Sequence, residues 1–120
     1  PKIRMTGWLL YKLGARGFLH WGYNYWFTFC TSRMSDPFLD AAVGAWPGLP
    51  AGDPFVVYPG ENGPLDSIRW EVFAESLQDY ALLQTVGIKP SDPLLEPIKD
   101  YREFPKSEAW LRQAHRRVLG

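Results

Sequence analysis

A single cysteine, Cys30, excludes any disulfide within the chain. It reads as a buried free thiol and leaves the compartment open. Neither Gly-x-x-x-x-Gly-Lys-Ser/Thr nor Gly-x-Gly-x-x-Gly occurs, so neither common phosphate cradle is encoded. His20 and His115 lie far apart, without cysteine or acidic neighbours at zinc-ligand spacing, and there is no Gly-x-Ser-x-Gly elbow. No cofactor or metal is therefore expected. No stretch approaches the roughly 18 apolar residues of a membrane span, and no membrane partner is expected. Charge of neither sign predominates: thirteen basic and thirteen acidic side chains cancel. A neutral chain offers no electrostatic footprint for nucleic acid. Acidic residues are also never adjacent to one another anywhere in the sequence.

Aromatic residues, by contrast, are abundant, with six Trp, six Tyr and seven Phe among 120 residues. Eleven Gly and eleven Pro call for many turns. The densest stretch is Gly17-Phe18-Leu19-His20-Trp21-Gly22-Tyr23-Asn24-Tyr25-Trp26. Four large rings fall within residues 21–26, at the end of an apolar run. Pyranose CH faces pack on indole and phenol rings, and Asn and Tyr hydrogen-bond hydroxyl or acetamido groups. The stretch therefore reads as a carbohydrate surface, with ordinary aromatic packing as the competing reading.

Ile3 to Leu13 carries Met5, Trp8, Leu9, Leu10 and Leu13 at helical spacing, and Gly14 stands where a left-handed cap belongs. Phe18–Tyr23 is apolar on both faces and reads as a two-sided buried strand. His20, in its middle, reads as a core histidine. Residues 27–53 form a long loop punctuated by Pro37, Gly44, Pro47, Gly48, Pro50 and Gly52, with a short helical turn at Pro37–Val43 capped by Asp36. Pro54–Tyr58 reads as a second strand, closed by Pro59-Gly60. A long helix falls within 64–87, Ile68 to Val86, with Asp66 or Ser67 as cap and Gly87 as stop. Its apolar stripe is Ile68, Val72, Phe73, Leu77, Tyr80, Leu82 and Leu83, with Arg69, Glu75, Gln78 and Asp79 opposite. A terminal helix falls within 105–119, capped by Ser107 and buried through Trp110, Leu111, Ala114 and Val118. Arg112, His115, Arg116 and Arg117 suit its C-terminal dipole.

The order of helix, strand, loop, strand, helix and helix gives an α/β class. It fits the closing part, the last two β/α units, of a (β/α)8 TIM-type barrel, incomplete on its own. The chain is accordingly read as a piece of a longer polypeptide whose remaining barrel is its partner. Active sites of such barrels lie at the C-terminal strand ends. That singles out Trp21, Tyr23, Asn24 and Trp26 after the first strand and Tyr58 at the end of the second. Asp53, beside Gly52 and just before the second strand, is either a site carboxylate or a turn cap.

These residues carry a resemblance. The stretch 17–26 resembles a Gly-x-Leu-x-Trp…Asn-x-Trp strand. Gly52-Asp53-Pro54-Phe55-Val56-Val57-Tyr58-Pro59-Gly60, Ser67-Ile68-Arg69-Trp70-Glu71 and Asp79-Tyr80-x-x-Leu83 follow in matching order. Together they resemble the C-terminal barrel region of glycoside hydrolase family 123 and bacterial relatives grouped as domain of unknown function 4091. The resemblance implies an exo-acting β-N-acetylgalactosaminidase or similar β-N-acetylhexosaminidase on a glycan containing N-acetylhexosamine. It implies secretion or a periplasmic location. It also implies that the substrate's acetamido oxygen is the nucleophile and that an adjacent Asp-Glu pair orients it and donates the proton. This chain has no such dipeptide, so no catalytic residue is assigned within it. Substrate contact carries over to Trp21, Asn24, Trp26 and Tyr58.

The chain departs from the family pattern at Pro54, where Gly is usual, and at Ala74, Ser76, Gln78 and Ala81. Arg69 and Glu71 read as structural, each tying the helix to a different neighbour. Two other readings stand beside the hydrolase: a non-catalytic carbohydrate-binding barrel, and a purely structural region whose aromatics are core.

Overall fold

The helical parts of the chain form where capping chemistry and apolar spacing coincide. A computed structural model describes residues 2–43 and 49–120. Gly44, Pro47 and Gly48 of the long loop lie outside the described residues. In chain order come α1 (Lys2–Lys12), β1 (Val57–Tyr58), β2 (Leu65–Asp66), α2 (Ile68–Val86), a 3-10 turn (Pro93–Leu95) and α3 (Glu108–Leu119). The chain divides into two compact units, residues 1–18 with 72–120, and residues 19–71.

The first unit is helical. Gly14 (φ 65°) and Gly87 (φ 77°) end α1 and α2 in the left-handed region, as their sequence positions predict. The Ser107 hydroxyl accepts from Trp110 N at 3.2 Å and caps α3. Met5, Trp8, Leu83, Leu94, Leu95, Ile98, Ala114 and Val118 form the core. Trp8 is fully buried, with the Trp110 ring edge-on at 5.5 Å. Tyr11 Oη donates to the carbonyls of Leu83 and Ile88, and Tyr80 Oη donates to that of Ala15 at 3.0 Å. These bonds fasten the C-terminal end of α1, and the residues just after it, to α2 and the turn that follows it.

The face that α2 buries in this unit matches the expected stripe only in part, at Leu83 in the core and Leu82 packed against it. Ser76, Asp79 and Leu83 are buried, whereas Leu77 is exposed. The cause is the approach of α1. A Cβ at Gly7 would stand 1.7 Å from the Ser76 carbonyl oxygen, so the two backbones nearly touch there. Only a small side chain fits opposite, and the Ser76 hydroxyl accepts from Gly7 N at 3.2 Å. One turn on, Asp79 accepts from Trp8 Nε1 at 2.6 Å and from Arg4, and His115 Nε2 lies 2.8 Å from its other oxygen. A buried carboxylate thus joins all three helices, where the periodicity alone placed Asp79 on the solvent side. His115 correspondingly serves this carboxylate rather than only the dipole of α3.

A small acid-sensitive feature sits at residues 99–103. Two backbone N–H groups, Glu103 N at 2.9 Å and Arg102 N at 2.6 Å, donate to Asp100 Oδ1. The bonds from Glu103 and then Arg102 hold this carboxyl below its ordinary value of 3.8. A lowered folded value means the contribution is complete above 3.8 and is lost as pH falls through the lower folded value. The Glu103 amide resonance should therefore titrate with a midpoint below 3.8, which an NMR titration reads directly.

The second unit is built from extended chain and turns. Val57 pairs with Asp66 and Tyr58 with Leu65 in an antiparallel two-stranded sheet, closed by the turn at residues 61–64. Asn24 and Phe55 form an antiparallel bridge, with Val56 N donating to Tyr23 O at 2.8 Å and Tyr25 N to Pro54 O at 3.1 Å. Phe27 bridges Met34. Ser67 rather than Asp66 caps α2, its hydroxyl accepting from Trp70 N at 3.2 Å. Phe55 and Val57 are fully buried.

Several expectations change here. Residues 18–22 form no ladder, and pairing begins only at Tyr23. Pro54 lies opposite Tyr25 and has no N–H to offer, which limits the ladder at its Tyr25 end. Leu19 is 91% exposed, so a two-sided buried strand at this position is not seen among the described residues. His20 is exposed rather than core, its Nδ1 2.9 Å from the Gly22 carbonyl. Cys30 is exposed rather than buried, at φ 56°. Asp36 does cap at residues 37–43, accepting from Phe38 N at 2.8 Å, but two successive turns form there instead of a helix. Asp40 opens the second turn by accepting from Ala42 N at 3.0 Å. The described residues hold three α-helices and one two-stranded sheet, with no barrel portion among them.

Candidate functional site

The pairing of residues 23–25 with 54–56 carries the candidate residues. It sets the first aromatic stretch beside the turn containing Gly52 and Asp53. Gly22 is buried here, and a Cβ on it would lie 2.5 Å from the Pro54 carbonyl oxygen. Glycine therefore lets the aromatic stretch run against Pro54.

Trp21 donates its indole N–H to Asp53 Oδ2 at 2.9 Å. Its ring remains 53% exposed and lies 5.7 Å from the Tyr25 ring, which in turn lies 6.0 Å from Phe27. Asp53 is at the same time a turn residue, its N–H donating to the Pro50 carbonyl at 3.0 Å. The turn positions the Asp53 carboxylate, and the carboxylate holds an indole ring whose face stays open.

The other candidates divide. Asn24 is exposed at the bridge opposite Phe55. Trp26 is half-buried, and its Nε1 donates to the Val57 carbonyl at 3.0 Å, which fixes the ring on β1. Tyr23 turns to Trp70 instead, edge-on at 5.5 Å. Tyr58 is half-buried between Phe38, stacked at 4.8 Å, and Phe55, edge-on at 5.0 Å. Trp21 and Asp53 are therefore in direct contact, while Tyr23 and Tyr58 have other ring partners.

Arg69 is the residue that periodicity undervalued. Its Nη2 donates to the Phe55 carbonyl at 2.9 Å, which bears out its role as a tie from α2 to a neighbour. Its guanidinium also lies over the Phe55 ring at 5.2 Å and the Tyr58 ring at 5.9 Å. It presses on Gly52, where a Cβ would come within 2.7 Å of the guanidinium carbon. The glycine in Gly52-Asp53 was the available signal, since only glycine fits beneath that plane at φ 81°.

The arrangement offers ring faces, an amide and one carboxylate already engaged by an indole. Such groups are of the kind that can bind and orient a sugar, and no two acidic residues are adjacent in the sequence. Among the described residues no group of three or more His, Cys, Asp or Glu could hold a metal ion, and no helix is long and apolar enough to cross a membrane.

Comparison with known families defines the class of protein. Residues 1–86 match the family model described as glycoside hydrolase 123, catalytic domain. That match takes in α1, both strands and all of α2, with every candidate residue between them. The chain belongs to this glycoside hydrolase family, and carbohydrate is the substrate class that the family implies. No curated protein matches the sequence.

Proposed function

We propose that this chain supplies the sugar-contacting aromatics of a β-N-acetylhexosaminidase, most specifically a β-N-acetylgalactosaminidase, working by substrate-assisted hydrolysis. The observation that carries the reading is the half-exposed Trp21 ring held by Asp53 in a family 123 sequence. An indole whose N–H is engaged keeps a fixed orientation, and its open face is suited to the apolar face of a pyranose. Asn24 and Tyr58 supply further polar contact in this reading, and Trp26 fixes the chain beneath them. The adjacent acids that orient the acetamido group and donate the proton come from outside this chain, because no such pair occurs in it. The same reading makes residues 1–120 the closing part of a (β/α)8 barrel, completed by strands of the parent protein, in a secreted or periplasmic enzyme.

The test is hydrolysis of an aryl N-acetyl-β-galactosaminide by the full-length protein, with and without Trp21→Ala. Loss of one stacking face should lower kcat/KM about tenfold, equivalent to about 1.4 kcal/mol. The loss should fall mainly on KM, and the melting temperature should move little, since the ring is half-exposed. The opposite result, unchanged kinetics with a stability loss of about 3–5 kcal/mol, would make Trp21 a core residue. Sugar binding without turnover would give the non-catalytic reading.

A further inference from the structure

Among the described residues, one buried side-chain nitrogen or oxygen has no hydrogen-bond partner: Nε of Arg69. Buried polar atoms are nearly always satisfied, and an exception calls for an explanation. Arg69 also forms no salt bridge among the described residues, and the residues outside that set carry no acid. Its charge rests instead on the Phe55 and Tyr58 rings and on the Phe55 carbonyl. A guanidinium placed only for stability would be expected to find a carboxylate, or to give way to an apolar side chain.

We infer that Arg69 is a positioning residue for the sugar site, setting Trp21 through the Gly52–Asp53 turn and Tyr58 by stacking. The geometry has two arms. On one side the guanidinium lies against Gly52, so the path of the turn is limited by the plane beneath it. The next residue, Asp53, holds the Trp21 indole at 2.9 Å. The guanidinium also lies over the Tyr58 ring at 5.9 Å, and Phe38 stacks on that ring at 4.8 Å. One planar cation thereby sets two candidate contact residues that do not touch one another through any ring pair described above. Flatness is the property that matters. Lysine keeps the charge but cannot lie flat between a glycine turn and two rings while donating sideways to a carbonyl.

This inference rests on the sugar-site reading, and the test separates the two. Full-length protein carrying Arg69→Lys, Arg69→Ala, Gly52→Ala or Trp21→Ala is compared with wild type on an aryl N-acetyl-β-galactosaminide. Binding of free N-acetylgalactosamine and the melting temperature are measured in parallel. Arg69→Lys should raise KM and the sugar Kd about tenfold, with kcat within about threefold, because loss of uniform binding appears in KM. Gly52→Ala should reproduce this by displacing the guanidinium, even if Arg69→Ala fails to fold. Wild-type KM and Kd in Arg69→Lys and Gly52→Ala, alongside a raised KM in Trp21→Ala, would overturn the role of Arg69 alone. Wild-type KM and Kd in Trp21→Ala would overturn the sugar-site reading and this inference with it.

Discussion

Replacing Asp79 with alanine is expected to cost about 3–5 kcal/mol of stability in the helical unit. The carboxylate is 7% exposed and is met by Arg4, by the Trp8 indole at 2.6 Å and by His115 at 2.8 Å. Removing it strands a largely buried guanidinium and a fully buried indole N–H together. An unpaired buried donor by itself costs about 1–3 kcal/mol. The neighbouring Arg4–Glu75 pair cannot compensate, because Glu75 is 62% exposed and exposed pairs contribute at most about 1 kcal/mol. Denaturant unfolding of the full-length protein measures the loss in the transition of this unit. A double-mutant cycle with Arg4→Met supplies the control. The double variant should recover part of the loss, since it no longer buries a lone charge, and strict additivity would contradict the ion-pair account.

Gly7→Ala is expected to destabilise the same unit by about 2 kcal/mol or more, against the direction that helix propensity alone would give. Alanine is favoured over glycine within a helix by about 1 kcal/mol. Against this, the new Cβ would stand 1.7 Å from a backbone oxygen and 2.6 Å from the carbonyl carbon of Ser76. Overpacking typically costs about 1–3 kcal/mol, occasionally more. Here the obstacle is backbone, with no rotamer to turn away, so the upper part of that range applies and outweighs the propensity gain. Parting α1 from α2 would also loosen the bond from Gly7 N to the Ser76 hydroxyl and strain the indole bond to Asp79 one turn away. Thermal unfolding checks the sign directly: a stabilised Gly7→Ala would mean that the two helices do not meet at this point.

Both predictions concern residues whose roles the sequence could not display. Ser76 and Asp79 have the polarity of an outer helix face, and a count of apolar positions places them there. Gly7 inside a helix reads as a weak helix former. Their meaning comes from one another: a glycine that lets α1 approach, a serine small enough to meet it, and a carboxylate that accepts from Arg4 and Trp8 on that helix. Arg69 belongs to the same kind. Its place in Ser67-Ile68-Arg69-Trp70 showed a helix start, while its guanidinium plane on Gly52, Phe55 and Tyr58 depends on how residues 52–58 fold back on α2.

What the sequence determined by itself is what neighbouring residues impose on one another. Ser67 and Ser107 cap, Gly14 and Gly87 terminate, and residues 61–64 turn because those side chains act within a few residues of their own backbone. The ordered motifs along the chain also sufficed for the family, which the match over residues 1–86 bears out. Only the tertiary structure decided which indole meets which carboxylate. Trp21 and Asp53 are 32 positions apart, and Trp8 and Asp79 are 71 apart. Contacts at such separations are set by where the chain crosses itself. That crossing depends on close backbone approaches, Gly7 on Ser76 and Gly22 on Pro54, which leave no periodic pattern in the sequence.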